Sequence, residues 1–314
     1  MTTASGLSTA RQFGTLIGLV ALSLVLWALT PHFLTVANVL NIAQQTSINA
    51  IVAVGMTYVI LSGGIDLSVG SIVALSGVAL GAALQSGQPA VSAVVAAMAV
   101  GVVCGLVNGV LVSWGGLPPF IVTLGMMSVA RGAALLVTEG RPISGFDAGF
   151  RSLATGEIGF IPGPVVATAI VYLAAHIVLT RTTFGRYVYA IGGNEEATRL
   201  SGVAVRFHKT MIYAVSGLMS AVAAIVLTAR LNSAQPIAGM MYELDAIAAT
   251  VIGGTSLMGG VGTLTGTLVG ALIMGVLRNG LNLLGVSSFL QQIVIGAVIV
   301  GAVLVDTILK RQRA

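Results

Sequence analysis

The chain has 314 residues, 56% of them hydrophobic and 7% charged, with a mean hydropathy of +1.03. Soluble domains carry about 25% charged residues, so a water-soluble fold is excluded and lipid is the solvent for much of the surface. The net charge of +5 does not indicate nucleic acid, because the basic residues gather in a few loops and at the C-terminus instead of forming one continuous face.

A spanning helix needs about 20 mostly apolar residues. In chain order the apolar runs fall at 13–30, 39–61, 67–85, 90–112, 120–138, 162–180, 210–229, 244–258, 263–283 and 288–308. The expected fold is all-α, a polytopic membrane protein of about ten transmembrane helices. A tail, 1–12, precedes the membrane domain 13–308, and a second tail, 309–314, follows it. The first run, Phe13 to Thr30, exceeds the ~7–15 residues of a signal-peptide core and reads as an uncleaved span. Barrel strands are not expected, because the runs are long and do not alternate. Spans 2–3 and 8–9 are open to being broken or re-entrant.

Lys and Arg mark cytoplasmic ends. Arg11, the loop bearing Arg181, Arg186, Arg199, Arg206 and Lys209, and the terminal Lys310, Arg311 and Arg313 place that loop and both termini in the cytoplasm. An even number of spans follows. The 139–161 segment then lies outside, with the mixed charges Glu139, Arg141, Asp147, Arg151 and Glu157. Within the basic loop, Glu196 to Gly202 reads as a short helix ending in glycine. Such a helix on the cytoplasmic side points to a soluble partner that docks there.

Gly occurs 41 times, nearly twice the usual share of about 7%. Four-residue spacing at Gly77/Gly81, Gly101/Gly105/Gly109 and Gly262/Gly266/Gly270 puts glycines on one helix face, where backbones approach closely. The stretch Gly63-Gly64-Ile65-Asp66-Leu67-Ser68-Val69-Gly70 aligns with Gly259-Gly260-Val261-Gly262-Thr263-Leu264-Thr265-Gly266 at a constant offset of 196, and Ala50-Ile51 with Ala246-Ile247 at the same offset. Asn108-Gly109 echoes Asn279-Gly280. Two related halves are expected, with helix breaks at Gly63, Gly64, Gly259 and Gly260. Matching breaks of this kind point to a substrate path.

Asp66 lies between two apolar segments. It either lines a path or caps the helix beginning near Leu67, accepting orphan backbone N–H groups. Glu243 and Asp245 open another helix and read as caps in the same way. Gln44, Gln45, Thr46, Ser47 and Asn49 cluster toward the outer end of the second span. Asn232 and Gln235 lie beyond the seventh, and Gln291 and Gln292 near the outer end of the tenth. Such groups can hydrogen-bond a polyhydroxylated solute, and polar contacts between helices are the alternative. The substrate-path candidates are Gln44, Gln45, Asn49, Asp66, Asn232 and Gln235.

Catalytic signatures are missing. The sequence has no G-x-x-x-x-G-K-[ST] phosphate loop, no H-E-x-x-H and no G-x-S-x-G. His32, His176 and His208 are scattered, and Cys104 is the single cysteine. No metal site, no cofactor and no enzymatic activity are expected of this chain.

Several separated segments are similar to the ribose-type permeases of bacterial ABC importers. They are Gly63-Gly64-Ile65-Asp66-Leu67-Ser68-Val69-Gly70, Gly185-Arg186-Tyr187-Val188-Tyr189-Ala190-Ile191-Gly192-Gly193-Asn194-Glu195-Glu196-Ala197, Ile252-Gly253-Gly254-Thr255-Ser256-Leu257-Met258-Gly259-Gly260, and Asn279-Gly280-Leu281-Asn282-Leu283 with Gln291-Gln292. The resemblance runs from about residue 35 to the C-terminus. It implies a multi-pass protein of the bacterial inner membrane that imports a monosaccharide by alternating access. It further implies a homodimer of permease chains in the lipid bilayer, a cytoplasmic ATP-binding subunit and a periplasmic sugar-binding protein, with no nucleic acid partner. Glu195, Glu196, Ala197, Arg199, Leu200 and Gly202 are the implied ATPase-docking residues. Thr198 stands where many such importers carry a second alanine. The alternative, a self-contained secondary sugar transporter or facilitator, is disfavoured by the scarcity of intramembrane acids for proton coupling.

Overall fold

The computed structural model describes residues 2–311, with side chains over 14–304 apart from 158 and 302. The expectations resting on Arg11, Lys310, Arg311 and Arg313, and on the tails 1–12 and 309–314, lie outside those described side chains. Among the described residues thirteen helices follow one another. The first five are α1 (Thr2–Leu29), α2 (Val36–Leu61), α3 (Val69–Gln85), α4 (Ala90–Ser113) and α5 (Pro119–Thr138). A short α6 (Ala148–Thr155) precedes α7 (Gly163–Arg181), α8 (Thr183–Gly193), α9 (Glu195–Leu200) and α10 (Val205–Leu231). The chain ends with α11 (Tyr242–Ile252), α12 (Leu264–Leu283) and α13 (Ser288–Arg311).

Among the described residues, α4, α5, α7, α10 and α12 are each long and apolar enough to cross a bilayer. Shorter apolar stretches are Gly14–Leu29, Val69–Gln85 and Ser288–Gly301. By length and composition alone the expected ten spans are therefore not reached. The clearest difference is the eighth run, expected as 244–258. The helix there has 11 residues and stops at Ile252, a rise of about 16 Å against a hydrocarbon core of about 30 Å. Gly254, Gly259 and Gly260 adopt positive φ of +90°, +85° and +73°, which bends the chain through an irregular 253–263 segment before α12. The second run ends likewise: α2 stops at Leu61, Gly63 takes φ +81°, and α3 starts at Val69.

Helix α2 is the hub. Every residue from Ala50 to Leu61 is buried, as an all-round apolar helix requires. The helices α10, α12, α11 and α7 pack around it. Hydroxyls fasten α7 to it: Tyr172 donates to the Ala50 carbonyl at 3.1 Å, and Tyr58 to the Ala175 carbonyl at 2.6 Å.

The closest helix pair is α4 with α10. Gly101 faces Gly217, and an added Cβ on Gly105 or Gly109 would stand 2.9 Å from Ala214 Cα or 2.6 Å from Thr210 Cα. The glycine spacing in α4 is thus a packing stripe. On α12, Gly266 meets Gly253 and Gly270 meets the Ala249 carbonyl. Gly262 precedes the helix and does not belong to that stripe, because its space is filled by the Thr255 side chain.

Helix α10, with 27 residues, rises about 40 Å, so its ends lie at opposite faces. At its start stand α8 and α9. At its far end the chain turns at Asn232 (φ +50°) into β4 (Ser233–Ala234), which pairs antiparallel with β1 (Ile143–Ser144). A second ribbon joins β2 (Glu157–Ile158) to β3 (Ile161–Pro162). These two-residue strands clamp connecting segments and leave the fold all-helical. Asp147 caps α6 by accepting from Phe150 N at 2.9 Å.

A side chain on the α4 stripe must push two backbones apart. Gly105→Leu is expected to cost at least ~1–3 kcal/mol of stability, read as a lowered unfolding midpoint in detergent. Gly125→Ala, at a position with open space around it, should leave that midpoint unchanged.

Candidate functional site

The docking residues implied by the sequence form one exposed unit. Asn194 caps α9, its Oδ1 accepting from Ala197 N at 2.8 Å, and Thr182 caps α8 by accepting from Gly185 N. Gly202, at φ +83°, ends the unit, with its N–H donated to the Arg199 carbonyl at 3.0 Å. Glu195, Glu196, Ala197, Arg199, Leu200 and Gly202 are all exposed, and Thr198 alone is buried. The Thr198 hydroxyl donates to the Asn194 carbonyl at 2.7 Å, so a polar residue is tolerated where a second alanine was the pattern. Leu200 is 76% exposed, an apolar tip with no cover.

Charges hold α9 in place. Arg199 reaches Glu196 at 2.6 Å, and Lys209 at the start of α10 reaches Glu195 at 3.0 Å. The Arg199 guanidinium keeps the Glu196 carboxyl below its ordinary range. Both members lie on α9 and are exposed, so this pair braces the short helix itself and adds little to the fold, while Lys209 ties α9 to α10. Beside it opens a cleft of about 600 Å³ lined by Ser113, Pro118, Glu195, Arg199, Arg206 and Lys209.

Helix α8 links this unit to the interior. Phe184 stacks on Tyr58 with ring centroids 6.2 Å apart, and Tyr187 lies 4.7 Å from His208. At its end, Gly192 packs directly on the Leu61 carbonyl and on Gly260 N. Gly260 N itself donates to the Leu61 carbonyl at 2.9 Å. The Tyr189 hydroxyl donates to the Gly262 carbonyl at 2.8 Å. An added Cβ on Gly259 would stand 3.0 Å from Gly63 N. The two glycine-rich breaks, 196 positions apart in sequence, thus touch each other, and α8 rests on both.

The polar candidates fall in three places. Asp66 is fully buried. Its Oδ1 accepts from Ser68 N at 2.9 Å and Ser68 Oγ at 2.6 Å, and its Oδ2 accepts from Ser216 Oγ at 2.7 Å. Asn108 adds a bond to Ser68 Oγ at 2.9 Å. The cap expected of Asp66 is displaced: Ser68 is the residue before α3, and the Asp66 carboxylate brackets the turn ahead of it while tying α3 to α10. Asn232 and Gln235 stand at the far end of α10. Asn232 Oδ1 accepts from Phe146 N at 3.0 Å, anchoring the 139–161 segment, and the Gln235 carbonyl accepts from Ala238 N at 3.0 Å.

The third place is on α2. Gln44 is half-buried, and Gln45 donates to Asn41 Oδ1 at 2.8 Å. Asn49 donates to Asp245 Oδ2 at 3.2 Å. Asp245 does not cap α11, whose preceding residue is Met241 at φ +69°. Its carboxylate instead takes both bonds from Arg278 Nη2, at 2.9 and 2.7 Å. Arg278 was missed in the sequence, although it is the single charge in the 263–283 run. An isolated charge inside an apolar run was the available signal.

Comparison with known proteins places the chain in a family. The profile of the family described as "Branched-chain amino acid transport system / permease component" matches residues 38–303. The ribose import permease protein RbsC of Escherichia coli K12 is 51% identical over 295 residues, covering 93% of this chain and 92% of that protein. Its namesake in Bacillus subtilis 168 is 49% identical over 298 residues, covering 94% and 92%. The D-allose transport system permease protein AlsC of Escherichia coli K12 is 38% identical over 302 residues, covering 96% and 93%. No solved structure matches. The family match spans α8, α9 and both breaks, and with identity of 51% and 49% over more than nine-tenths of the chain it shows that the chain belongs to the ribose-type permease family of ABC importers.

Proposed function

We propose that this chain imports a monosaccharide, ribose or a close relative, as the non-catalytic membrane subunit of an ATP-driven importer. The single observation that carries the reading is α8: one helix ends against both glycine breaks and continues into the exposed α9. A soluble ATPase that seizes Glu195, Glu196, Ala197, Arg199, Leu200 and Gly202 then acts on the point where α2 and the 253–263 segment meet. A partner shifts a conformational equilibrium only through contacts that differ between its states. The positive-φ glycines at 63, 259 and 260 let the chain hinge there without a side chain in the way.

The family description names branched-chain amino acids, whereas the relatives above are named for ribose and allose. Identity of 51% over 93% of the chain favours the sugar. The amides of α2, Gln44, Gln45 and Asn49, suit hydroxyl groups. In this reading the chain crosses the bacterial inner membrane ten times in two related halves, with α11 and the irregular segment after it supplying the eighth pass. The termini and α9 face the cytoplasm, two copies form the permease, and a periplasmic binding protein delivers the sugar to the opposite face.

Three outcomes test this. Purified chain in vesicles should move no sugar, and uptake should appear only when the ATPase, ATP and sugar-loaded binding protein are supplied; uphill transport by the chain alone would overturn the reading. Gly202→Trp, which strains a left-handed position, and Leu200→Asp should each lower ATPase co-purification and uptake at least tenfold while membrane insertion stays normal. Ser201→Cys in a Cys104→Ala background should react with a membrane-impermeant thiol reagent in inside-out vesicles and stay unlabelled in intact cells.

A further inference from the structure

We propose that Asp245, Arg278 and Asn49 form a sugar-hydroxyl station inside the membrane, at which the permease itself discriminates its solute. The inference rests on the import reading above and deepens it.

The observations concern an ion pair that is built yet left open. Arg278 sits five residues from the end of α12, about 7 Å in from that helix end. Its side chain is 42% exposed, whereas Asp245 is 3% exposed. Only Nη2 is engaged, by the Asp245 carboxylate. The Nε and Nη1 groups have no acceptor among the described residues, and the buried Asn49 Oδ1 has no donor. A guanidinium turned to lipid costs at least ~2.5–3.5 kcal/mol, and in this proposal the open side of Arg278 faces a passage instead of the acyl chains. A pair serving only to join helices is closed, as its neighbours show. Asn38 and Asn279 exchange both amide bonds at 3.0 and 2.9 Å and are buried together.

The surroundings give the station an approach. Asn41, Gln45 and Asn49 recur every four residues on α2, one face of the helix, and lead from its exposed beginning to Asp245. On α12, Asn282 stands one turn beyond Arg278 and is exposed. Asn49 and Asp245 also occupy equivalent positions of the two repeats, 196 residues apart, so the station lies where the halves meet. Its chemistry fits a vicinal diol that includes the 2-hydroxyl of ribose, the group that 2-deoxyribose lacks. One hydroxyl accepts from the free Arg278 N–H groups on the exposed side of the pair, and its neighbour reaches the Asp245 carboxylate and Asn49 Oδ1, both enclosed in this structure, once α2 and α12 part in the transport cycle. Charge-assisted bonds of this kind are roughly twice as strong as neutral ones.

The test uses the complete importer in proteoliposomes, with the same sugar-loaded binding protein throughout. Uptake of ribose is compared with that of 2-deoxyribose, each in wild type, Asp245→Asn and Arg278→Lys. Because the binding protein is common, a change in the ratio belongs to the permease. The expected result is a ratio at least threefold smaller in a variant, with ribose uptake down at least tenfold and stimulated ATP hydrolysis within twofold of wild type. An unchanged ratio, or uptake and ATP hydrolysis falling together in Arg278→Lys, overturns the station while leaving the import reading intact. A wild-type importer that moves no sugar sinks the import reading itself. If neither variant transports either sugar, labelling decides. Asn282→Cys in a Cys104→Ala background, with the ion pair untouched, should react from outside with a membrane-impermeant thiol reagent, and failure to react removes the passage.

Discussion

The Leu61 carbonyl is the point on which the rest of this structure turns. It ends the hub helix, accepts Gly260 N from the other break, and is covered by Gly192 at the end of α8. Three backbones meet there with no side chain between them. Any residue larger than glycine at 192 would collide with a carbonyl oxygen and an amide nitrogen at once. Contact of this kind transmits displacement well, because a packed interior is not compressible and passes strain to its neighbours. In the reading proposed above, this tight contact passes a push on α9 to the two breaks, where the left-handed glycines let the chain bend.

Around that junction the polar groups divide by how completely they are satisfied. Asp66 is wholly enclosed and its carboxylate accepts three bonds, so it ties α3 to α10 and fixes the turn after the first break. Asn38 and Asn279 are a closed reciprocal pair. Buried polar groups that are fully paired specify geometry, and these do. Asp245 and Arg278 differ, since the arginine keeps donors free on an exposed side. In the proposal made above, the distinction between closed and open pairs separates scaffold from passage more sharply than residue type does.

Much was legible in the chain itself. Long apolar runs can bury backbone polarity in lipid only as helices, so the all-helical class followed from composition and run length. The α9 unit was readable as a short helical run from Glu196 ending in Gly202, while the Asn194 cap in front of it was not read. The breaks announced themselves through glycines repeated at a fixed offset, since positive φ is a local demand that only glycine meets freely.

Other features had no local cause to be read. That the two breaks touch, and that α8 rests on both, depends on how distant segments dock. The eighth run looked like one continuous helix because hydropathy counts residues and not the path they follow, and the left-handed glycines at 254, 259 and 260 follow a helix of only 11 residues. Asp245 resembled a cap until Arg278, 33 positions away, supplied a partner, and Asn49 joined from across the other half. Local conformation and solvent preference are written residue by residue, and the chain alone determined them. Which carboxylate finds which cation is a long-range geometric fact, and only the packing of α2, α11 and α12 decided it.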